Sequence, residues 1–387
     1  MLVRVLFVSH AVELGGAELM LLRLLGQAPQ SVRASLAVPH EGPLSVRARA
    51  LHVPVRIVGP GAGVLGYRRG QPTRSPAAFL RALSELPPAI AAVALEARRH
   101  DLVVTNSTKA HLYGALAARV AGVRCAWRLH DIIDHNGFAP AVQQLYRQAS
   151  RWLPDRVVAV SEAAALPIRS AGAKEVLVAA NGVEVPLAAR PDEGASVRRE
   201  LGIAPDAKVV LLLGRLTRMK GAEVLFEALE SLPQAVALVA GDATYSEEED
   251  YRAALERAAA PLGGRVVFAG FRADLGPLFR AADVLAHPSV KPDALPTVVL
   301  EALAAGVPVV ASGSGGAPEI LRDEEGGLVV PAGDARCLAA ALSRVLSDAV
   351  LRERLVARGR RRALDFENRS ATIRVWRALL ETLPAVG

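Results

Sequence analysis

Short, almost continuously apolar runs alternate with helical patterns along the first half of the chain. The first run, residues 3–8, leads through a loop to a helical pattern over 17–25. Further strands are predicted at 35–38, 55–58, 102–105, 124–129, 156–160 and 176–179, and helices at 109–121, 140–153 and 162–171. Apolar strands that alternate with helices are typical of a parallel sheet covered on both faces, which predicts an α/β fold.

The pattern stops over residues 186–205, which are polar and contain Pro, Gly and Asp, and then restarts. Strands are predicted at 209–213, 236–240, 265–269, 284–286, 307–311 and 327–330, and helices at 221–232, 247–260, 273–281, 297–305, 334–346, 351–362 and 369–383. We therefore expect two doubly wound domains, 1–185 and 208–363, with a linker at 186–207. The final segment, 364–387, is expected to form a helix that packs back on the first domain. Ligands of such sheets bind beyond the carboxyl ends of the strands, so two facing domains predict one interdomain cleft.

Composition excludes several classes of protein. The chain has 387 residues, of which 51% are hydrophobic and 22% charged, so global disorder is excluded. Two cysteines, Cys125 and Cys337, cannot build a disulfide framework or a multi-cysteine zinc site. The longest uncharged stretch, 302–318, is interrupted by Gly, Pro and Ser and is too short to span a membrane. We expect a soluble, cytoplasmic protein.

The charge is uneven along the chain. Residues 1–180 contain 21 basic and 11 acidic side chains, whereas the remainder contains 25 and 28. Two interpretations stay open: an arginine-rich composition, since only five of the 46 basic residues are Lys, or a first domain that attracts an anionic substrate or the acidic inner surface of a membrane. Nucleic-acid binding is disfavoured, because the chain lacks interleaved aromatic residues and a known reader motif.

Two loops carry features that suit phosphate groups. Gly15 and Gly16 open the first helix, where backbone N–H groups and the helix dipole favour an anion. The run is not G-x-G-x-x-G, which disfavours a nicotinamide dehydrogenase. In the second half, Arg215 follows a strand and Lys220 precedes a helix, so one loop offers two cations to a diphosphate. The alternatives are an ordinary turn and solvated loop charges.

A third segment places two carboxylates eight residues apart. Asp293 lies on a loop and Glu301 about two turns into the following helix, whose N-terminus offers further N–H groups. Carboxylates in these positions can accept hydrogen bonds from sugar or ribose hydroxyls, although Glu301 alone fits a buried structural acid equally well. The chain shows no D-x-D motif and no His spacing typical of metal ligands, so no metal site is predicted.

Together these motifs form an ordered series across nearly the whole chain: Gly15-Gly16-Ala17-Glu18, Asn181-Gly182-Val183, Gly214-Arg215, Lys220-Gly221, His287-Pro288-Ser289, Asp293, Glu301, Gly315-Gly316 and Glu319. The series resembles the retaining glycosyltransferases of family 4, which have the GT-B fold and an E-x7-E signature. The resemblance implies metal-independent transfer of a sugar from a nucleoside-diphosphate sugar. It implies no cofactor beyond that donor substrate.

The resemblance also assigns expected roles. Arg215 and Lys220 match the diphosphate-binding pair, Asp293 the acid that contacts the donor sugar, and Glu301 the acid that holds the ribose. His130 matches a first-domain histidine beside the reacting centre. Further expected donor-binding residues are Gly15, Gly16, Gly241, Phe271, Ala294, Leu295, Thr297 and Val298, and expected acceptor-side residues are Asn106 and Asp131.

The sequence departs from the family pattern at two linked positions. The first acid is Asp293 in place of the usual Glu, and the glycine-containing run that often follows it is replaced by residues 294–297. Pro296 in this run has no N–H, so one backbone donor is missing. These departures leave the identity of the donor sugar open.

The predicted function is therefore retaining glycosyl transfer to a hydroxyl of a saccharide, a glycolipid or a glycosylated natural product. The positive first domain favours an anionic or lipid-linked acceptor and peripheral contact with the inner face of a membrane. Two alternatives remain: a sugar-nucleotide epimerase on the same fold, which needs no acceptor, and a catalytically inert sugar-nucleotide-binding module.

Overall fold

The computed structural model describes residues 2–66, 76–135, 137–184, 192–242 and 246–384, apart from the side chains of 76–79 and 246–249. The chain divides into two compact units. Unit 1 comprises Met1–Gly182 and Arg369–Gly387, and unit 2 comprises Val183–Asn368.

Unit 1 is built on a parallel sheet of seven strands. The strands are β1 (Val3–Val8), β2 (Val32–Val38), β3 (Val55–Ile57), β4 (Leu102–Thr105), β5 (Arg124–Leu129), β6 (Arg156–Ala159) and β7 (Val176–Val178). Its helices are α1 (Gly16–Gly26), α2 (Pro43–Ala50), α3 (Ala62–Leu65), α4 (Pro76–Ala97), α5 (Thr108–Ala121), α6 (Pro140–Trp152) and α7 (Glu162–Ser170). The strand order is β3-β2-β1-β4-β5-β6-β7, so the direction of winding reverses between β1 and β4.

The core of unit 1 includes a helix from the far end of the chain. This helix, α16 (Asn368–Leu380), brings Trp376 against Phe7 of β1 with the two rings 5.6 Å apart in an edge-to-face arrangement. Trp376 is 1% exposed, and its indole N–H donates to the carbonyl oxygen of Leu24 at 3.0 Å. One face of the sheet is thus closed by residues that follow unit 2 in sequence.

Unit 2 contains a parallel sheet of six strands. The strands are β8 (Lys208–Leu213), β9 (Ala235–Ala240), β10 (Val266–Gly270), β11 (Val284–His287), β12 (Val309–Ser312) and β13 (Gly327–Val330). Its helices are α8 (Glu193–Glu200), α9 (Ala222–Glu230), α10 (Ser246–Ala259), α11 (Gly276–Ala281), α12 (Thr297–Ala305), α13 (Ala317–Leu321), α14 (Ala335–Ser347) and α15 (Ala349–Leu364). The order β10-β9-β8-β11-β12-β13 reverses between β8 and β11. Two parallel α/β sheets confirm the predicted fold class.

The segment predicted as a linker, 186–207, is helical in part. Residues 185–191 lie outside the described part of the chain, but residues 193–200 form α8. A Cβ on Gly194 would lie 2.4 Å from the carbonyl oxygen of Arg280, so the helix packs directly against the backbone of α11. Arg198 of α8 also donates to the Asp283 carboxylate at 3.0 Å. These tertiary contacts stabilise a helix whose sequence shows little apolar periodicity.

Among the described helices, none combines the length and the apolar composition that a membrane span requires.

Candidate functional site

The carboxyl end of β8 lies at the reversal point of the unit 2 sheet, where ligands of such sheets usually bind. The loop that follows β8 carries Arg215, which is exposed, and a short 3-10 turn that ends at Lys220. Gly221 then adopts φ +70°, and a Cβ there would lie 2.1 Å from the carbonyl oxygen of Pro288. Glycine is therefore required for this loop to approach the chain that follows β11.

The loop after β11 brings a carboxylate to the lysine. Lys220 Nζ donates to Asp293 Oδ2 at 2.6 Å, although the two residues are 73 positions apart in sequence. His287, at the end of β11, places Nε2 3.9 Å from the same oxygen and 3.2 Å from Ser289 Oγ. Burial is the main cause that lowers the pKa of His287 to about 4, and the nearby Lys220 lowers it further, so the imidazole is neutral near pH 7.

Two glycines hold the backbone around Asp293. A Cβ on Gly315 would lie 2.1 Å from the carbonyl oxygen of Asp293, and one on Gly316 would lie 2.2 Å from that of Ala294. The Gly316 N–H donates to the Asp293 carbonyl at 2.8 Å. Ala294 and Leu295 are buried at 7% and 8% exposure. The predicted donor-side run is thus a rigid segment packed against the loop after β12.

The remaining predicted donor-side residues are distributed along the same sheet edge. Thr297 begins α12, and Thr297, Val298 and Glu301 are all partly buried. Gly241 follows β9 with φ +133°, and a Cβ there would lie 1.9 Å from the carbonyl oxygen of Gly214. Phe271 is 74% exposed and follows the edge strand β10. Because β10 is three strands from β11, the ends of these two strands lie roughly 14 Å apart at the usual strand spacing.

In unit 1, the predicted glycines open α1. Gly15 caps the helix, and its N–H donates to Glu18 Oε2 at 3.1 Å. A Cβ on Gly16 would have no neighbour within 4 Å, so the backbone there is open to close approach. Such an open backbone at a helix N-terminus is the geometry that an anion needs for close approach.

The predicted acceptor-side residues meet at the ends of β4 and β5. His130 Nε2 donates to Asn106 Oδ1 at 3.1 Å, and Thr108 Oγ1 donates to Asp131 Oδ2 at 2.5 Å. Burial is the main cause that lowers the pKa of His130 to about 3, and the neighbouring Arg128 guanidinium lowers it further. His130 is therefore neutral at physiological pH, with its Nε2 proton engaged by Asn106.

Three residues at this edge were not predicted as site residues. Ser107 Oγ accepts from the backbone N–H of His10 at 2.8 Å and lies 2.6 Å from His10 Nδ1. Arg128 is 2% exposed and donates to the Ala179 carbonyl at 2.7 Å and to Asn181 Oδ1 at 2.8 Å. Polar side chains immediately after β1 and β4 were a usable signal for His10 and Ser107. A single arginine inside an apolar strand gave no comparable signal.

No group of three or more His, Cys, Asp or Glu side chains suitable for a metal ion occurs within the described ranges. Metal independence stays a prediction.

Two family models match the chain in succession. The model described as Glycosyltransferase Family 4 matches residues 14–186, and the one described as Glycosyl transferases group 1 matches residues 195–362. The chain belongs to glycosyltransferase family 4. The assignment agrees with the two parallel α/β sheets, which characterise the GT-B fold.

Solved and curated members of the family resemble the chain over different lengths. HepE from Anabaena, crystallised in complex with UDP and glucose, is 28% identical, with a TM-score of 0.84 over 99% of this chain and 100% of HepE. The lipopolysaccharide core biosynthesis glycosyltransferase LpsE of Rhizobium meliloti is 37% identical over 189 residues, which cover 48% of this chain and 54% of LpsE.

A third similar protein is the Escherichia coli UDP-Gal:alpha-D-GlcNAc-diphosphoundecaprenol alpha-1,3-galactosyltransferase. It is 25% identical over 282 residues, which cover 66% of this chain and 69% of that enzyme. For the first curated relatives, such as LpsE, the chain spans only about half of their length.

Proposed function

We propose that the chain transfers a sugar from a nucleoside-diphosphate sugar to an acceptor hydroxyl, with retention of anomeric configuration and without a bound metal ion. The observation that carries this proposal is the pairing of Lys220 with Asp293 at the reversal point of the unit 2 sheet. An ammonium group on a tightly packed loop there suits a diphosphate, and the adjacent carboxylate suits sugar hydroxyls. The complex of HepE with UDP and glucose supports the same class of donor.

The expected roles follow from charge and position. Arg215 and Lys220 stabilise the negative charge that develops on the departing diphosphate, and such electrostatic stabilisation is usually the largest contribution to catalysis. Glu301 binds the ribose, and Asp293 accepts hydrogen bonds from the sugar. In a same-face reaction, the bond from the anomeric carbon to the phosphate oxygen breaks as the bond to the acceptor oxygen forms. The departing phosphate then takes the acceptor proton, so no enzyme nucleophile is required.

Unit 1 is proposed to bind the acceptor near His130 and Asn106. A histidine whose pKa is lowered to about 3 carries no charge at neutral pH and can contact a hydroxyl group. We therefore assign His130 a hydrogen-bonding role at the acceptor or donor sugar, in preference to the role of a protonated acid.

The acceptor class we favour is an anionic or lipid-linked saccharide. The excess of ten positive charges over residues 1–180 supports this choice. The names of two similar proteins, a lipopolysaccharide core enzyme and a transferase acting on a diphosphoundecaprenol acceptor, point in the same direction. Peripheral binding to acidic membranes then depends on electrostatic attraction and is weakened by salt.

The central experiment combines donor screening with product analysis. A panel of nucleoside-diphosphate sugars is screened for thermal stabilisation, and the best donor is incubated with and without saccharide acceptors. Transfer with retention, established by NMR of the product and unaffected by a chelator, is expected. An epimerised sugar released from the donor alone would identify an epimerase, and donor binding without transfer or hydrolysis would identify an inert binding module.

Membrane contact is tested separately by co-sedimentation with vesicles that contain anionic lipid. Binding is expected to decrease steadily as salt is raised. Binding that does not respond to salt, or equal binding to neutral vesicles, would contradict an electrostatic attachment.

A further inference from the structure

The ion pair between Lys220 and Asp293 uses the same ammonium group that the proposed function assigns to the donor diphosphate. The side chains of both residues are only about one-fifth exposed, at 20% and 19%, and the two charged atoms lie 2.6 Å apart. Partly buried ion pairs are less screened than surface pairs, so the contact contributes measurably to the energy of the site.

The backbone on both sides of the ion pair is closely packed, so the fold itself brings Lys220 and Asp293 together. Lys220 is followed by Gly221, which packs on the Pro288 carbonyl, and the Val290 N–H donates to the Met219 carbonyl at 2.9 Å. Asp293 forms a parallel bridge with Gly315. The stem of Lys220 also passes close to Gly214, since a Cβ there would lie 3.9 Å from Lys220 Cε.

We propose that Asp293 is the internal counter-ion of Lys220 and that a nucleoside diphosphate must displace this carboxylate to bind the ammonium. The inference rests on the proposed function, because it takes a diphosphate as the ligand of Lys220. Asp293 then has two effects of opposite sign. It weakens the binding of the diphosphate portion of the donor by competition, and it contributes a contact to the donor sugar.

The structure also contains a second partner for the displaced carboxylate. His287 Nε2 lies 3.9 Å from Asp293 Oδ2 and contacts Ser289 Oγ at 3.2 Å. Burial keeps this imidazole neutral, so it interacts with the carboxylate more weakly than the ammonium does. Asp293 is therefore paired with Lys220, and the neutral His287 remains close to the carboxylate when a diphosphate takes its place on the ammonium.

The experiment measures the binding of UDP, GDP and ADP, without any sugar, by calorimetry. For the diphosphate that binds the wild-type protein best, the variant Asp293→Asn is expected to bind about tenfold more tightly, the order of one partly buried ion pair. Asp293→Glu keeps the charge and is expected to stay within about threefold of the wild type. The corresponding nucleoside, which lacks phosphate, is expected to show no gain with either variant.

A double-mutant cycle with Lys220→Met isolates the pair. The gain from Asp293→Asn is expected to vanish in the Lys220→Met background, because there is no ammonium left to release. Glu230→Gln, on the exposed end of α9, removes one negative charge elsewhere in unit 2 and is expected to leave diphosphate binding unchanged.

The possible failures are distinguishable. If the wild-type protein binds none of the three diphosphates, the proposed function itself is contradicted. If it binds one of them while Asp293→Asn binds equally or more weakly, the counter-ion inference alone is overturned. A gain that persists in the Lys220→Met background would also overturn it, since the gain would then arise from general charge.

Discussion

The two parallel sheets present different chemistry at corresponding positions. At the reversal point of the unit 2 sheet, an ammonium and a carboxylate face each other across 2.6 Å on loops packed by glycine. At the corresponding edge of unit 1, a neutral His130 bonds to the Asn106 amide and His10 bonds to the Ser107 hydroxyl. The same architecture therefore supports an ion pair at one edge and hydrogen bonds among His, Asn and Ser side chains at the other.

This difference teaches that net charge and local charge are separate properties. Residues 1–180 carry the excess of positive charge, yet many of their arginines form ion pairs away from the carboxyl ends of β1 and β4, as Arg4 does with Asp101 and Arg124 with Asp155. We therefore expect the net positive charge of unit 1 to attract an anionic acceptor from a distance. We expect the polar side chains at the ends of β4 and β5 to bind its reacting hydroxyl.

The largest expected effect tests the unit 2 edge. Lys220→Ala is expected to lower the transfer rate by about 10²–10³-fold. This is the usual effect of removing one hydrogen-bond donor that stabilises negative charge in the transition state. Initial rates at saturating concentrations of the sugar donor measure the change. Lys291 is an exposed lysine on the loop after β11, and Lys291→Ala serves as the control. A loss of less than about threefold would remove Lys220 from the transition-state machinery. Arg215→Ala is tested in the same way.

His130→Ala probes the unit 1 edge, at the ends of β4 and β5. Loss of a positioned hydrogen bond at the reacting centre is expected to lower kcat/KM by roughly 10–100-fold, corresponding to about 1.4–2.7 kcal/mol. His135→Ala, an exposed histidine five residues later, is the matched control. Transfer at the wild-type rate by the His130 variant would show that His130 is not part of the reaction site.

A third prediction concerns the glycines of the unit 2 edge. Gly315 and Gly333 have nearly equal φ values of +71° and +76°, but only Gly315 would place a Cβ against backbone, 2.1 Å from the Asp293 carbonyl oxygen. Gly333→Ala is expected to lower the free energy of unfolding by about 1 kcal/mol, because of the backbone conformation alone. Gly315→Ala is expected to lower it by at least about 2 kcal/mol more, because the added Cβ also meets backbone atoms. Urea unfolding measures both. Equal costs would show that close packing is not what requires Gly315.

The last prediction compares the two units by their response to pH. Burial lowers the pKa of His111 and His130 to about 3 in unit 1, and that of His287 to about 4 in unit 2. A histidine whose folded pKa lies below 6.5 stabilises the fold fully above that pH and loses its contribution as the pH falls towards the folded value. For each such histidine, the free energy of unfolding falls by at most about 1.4 kcal/mol per pH unit below 6.5.

Unit 1 is therefore expected to lose stability more steeply than unit 2 between pH 6.5 and 4. All three tryptophans, Trp127, Trp152 and Trp376, belong to unit 1, so their fluorescence reports its unfolding in urea. Hydrogen exchange of β8 and β9 peptides reports unit 2. Equal pH dependence of the two signals would contradict the expectation, and His111→Gln is expected to flatten the tryptophan curve.

The strands were the most predictable part of the fold. Bounds for β1, β4, β5 and β13 agree with the sequence pattern to the residue, because buried parallel strands form mostly apolar runs. Helix α4 was not predicted, since Pro87 and Pro88 lie inside it and usually end helices. Its buried residues Val93, Ala94 and Ala97 show that packing overcomes this preference.

The sheet edge on which the candidate residues lie was predictable from the sequence, but their contacts with one another were not. Lys220 and Asp293 both follow strands that flank the reversal point, and this rule of topology brings them to one edge. Their ion pair could not be predicted, because it depends on how closely Gly221 and Gly315 let two loops approach. The buried contacts of Arg128 were equally hidden, since they depend on carbonyl groups at the ends of neighbouring strands.

The place of α16 in the fold has a consequence for how the molecule is made. Trp376 packs against Phe7 in the core of unit 1, but it is synthesised only after all of unit 2. During synthesis, part of the core of unit 1 therefore stays exposed until α16 has been made, whereas unit 2 can complete its folding earlier. A truncation that removes α16 damages the opposite end of the polypeptide.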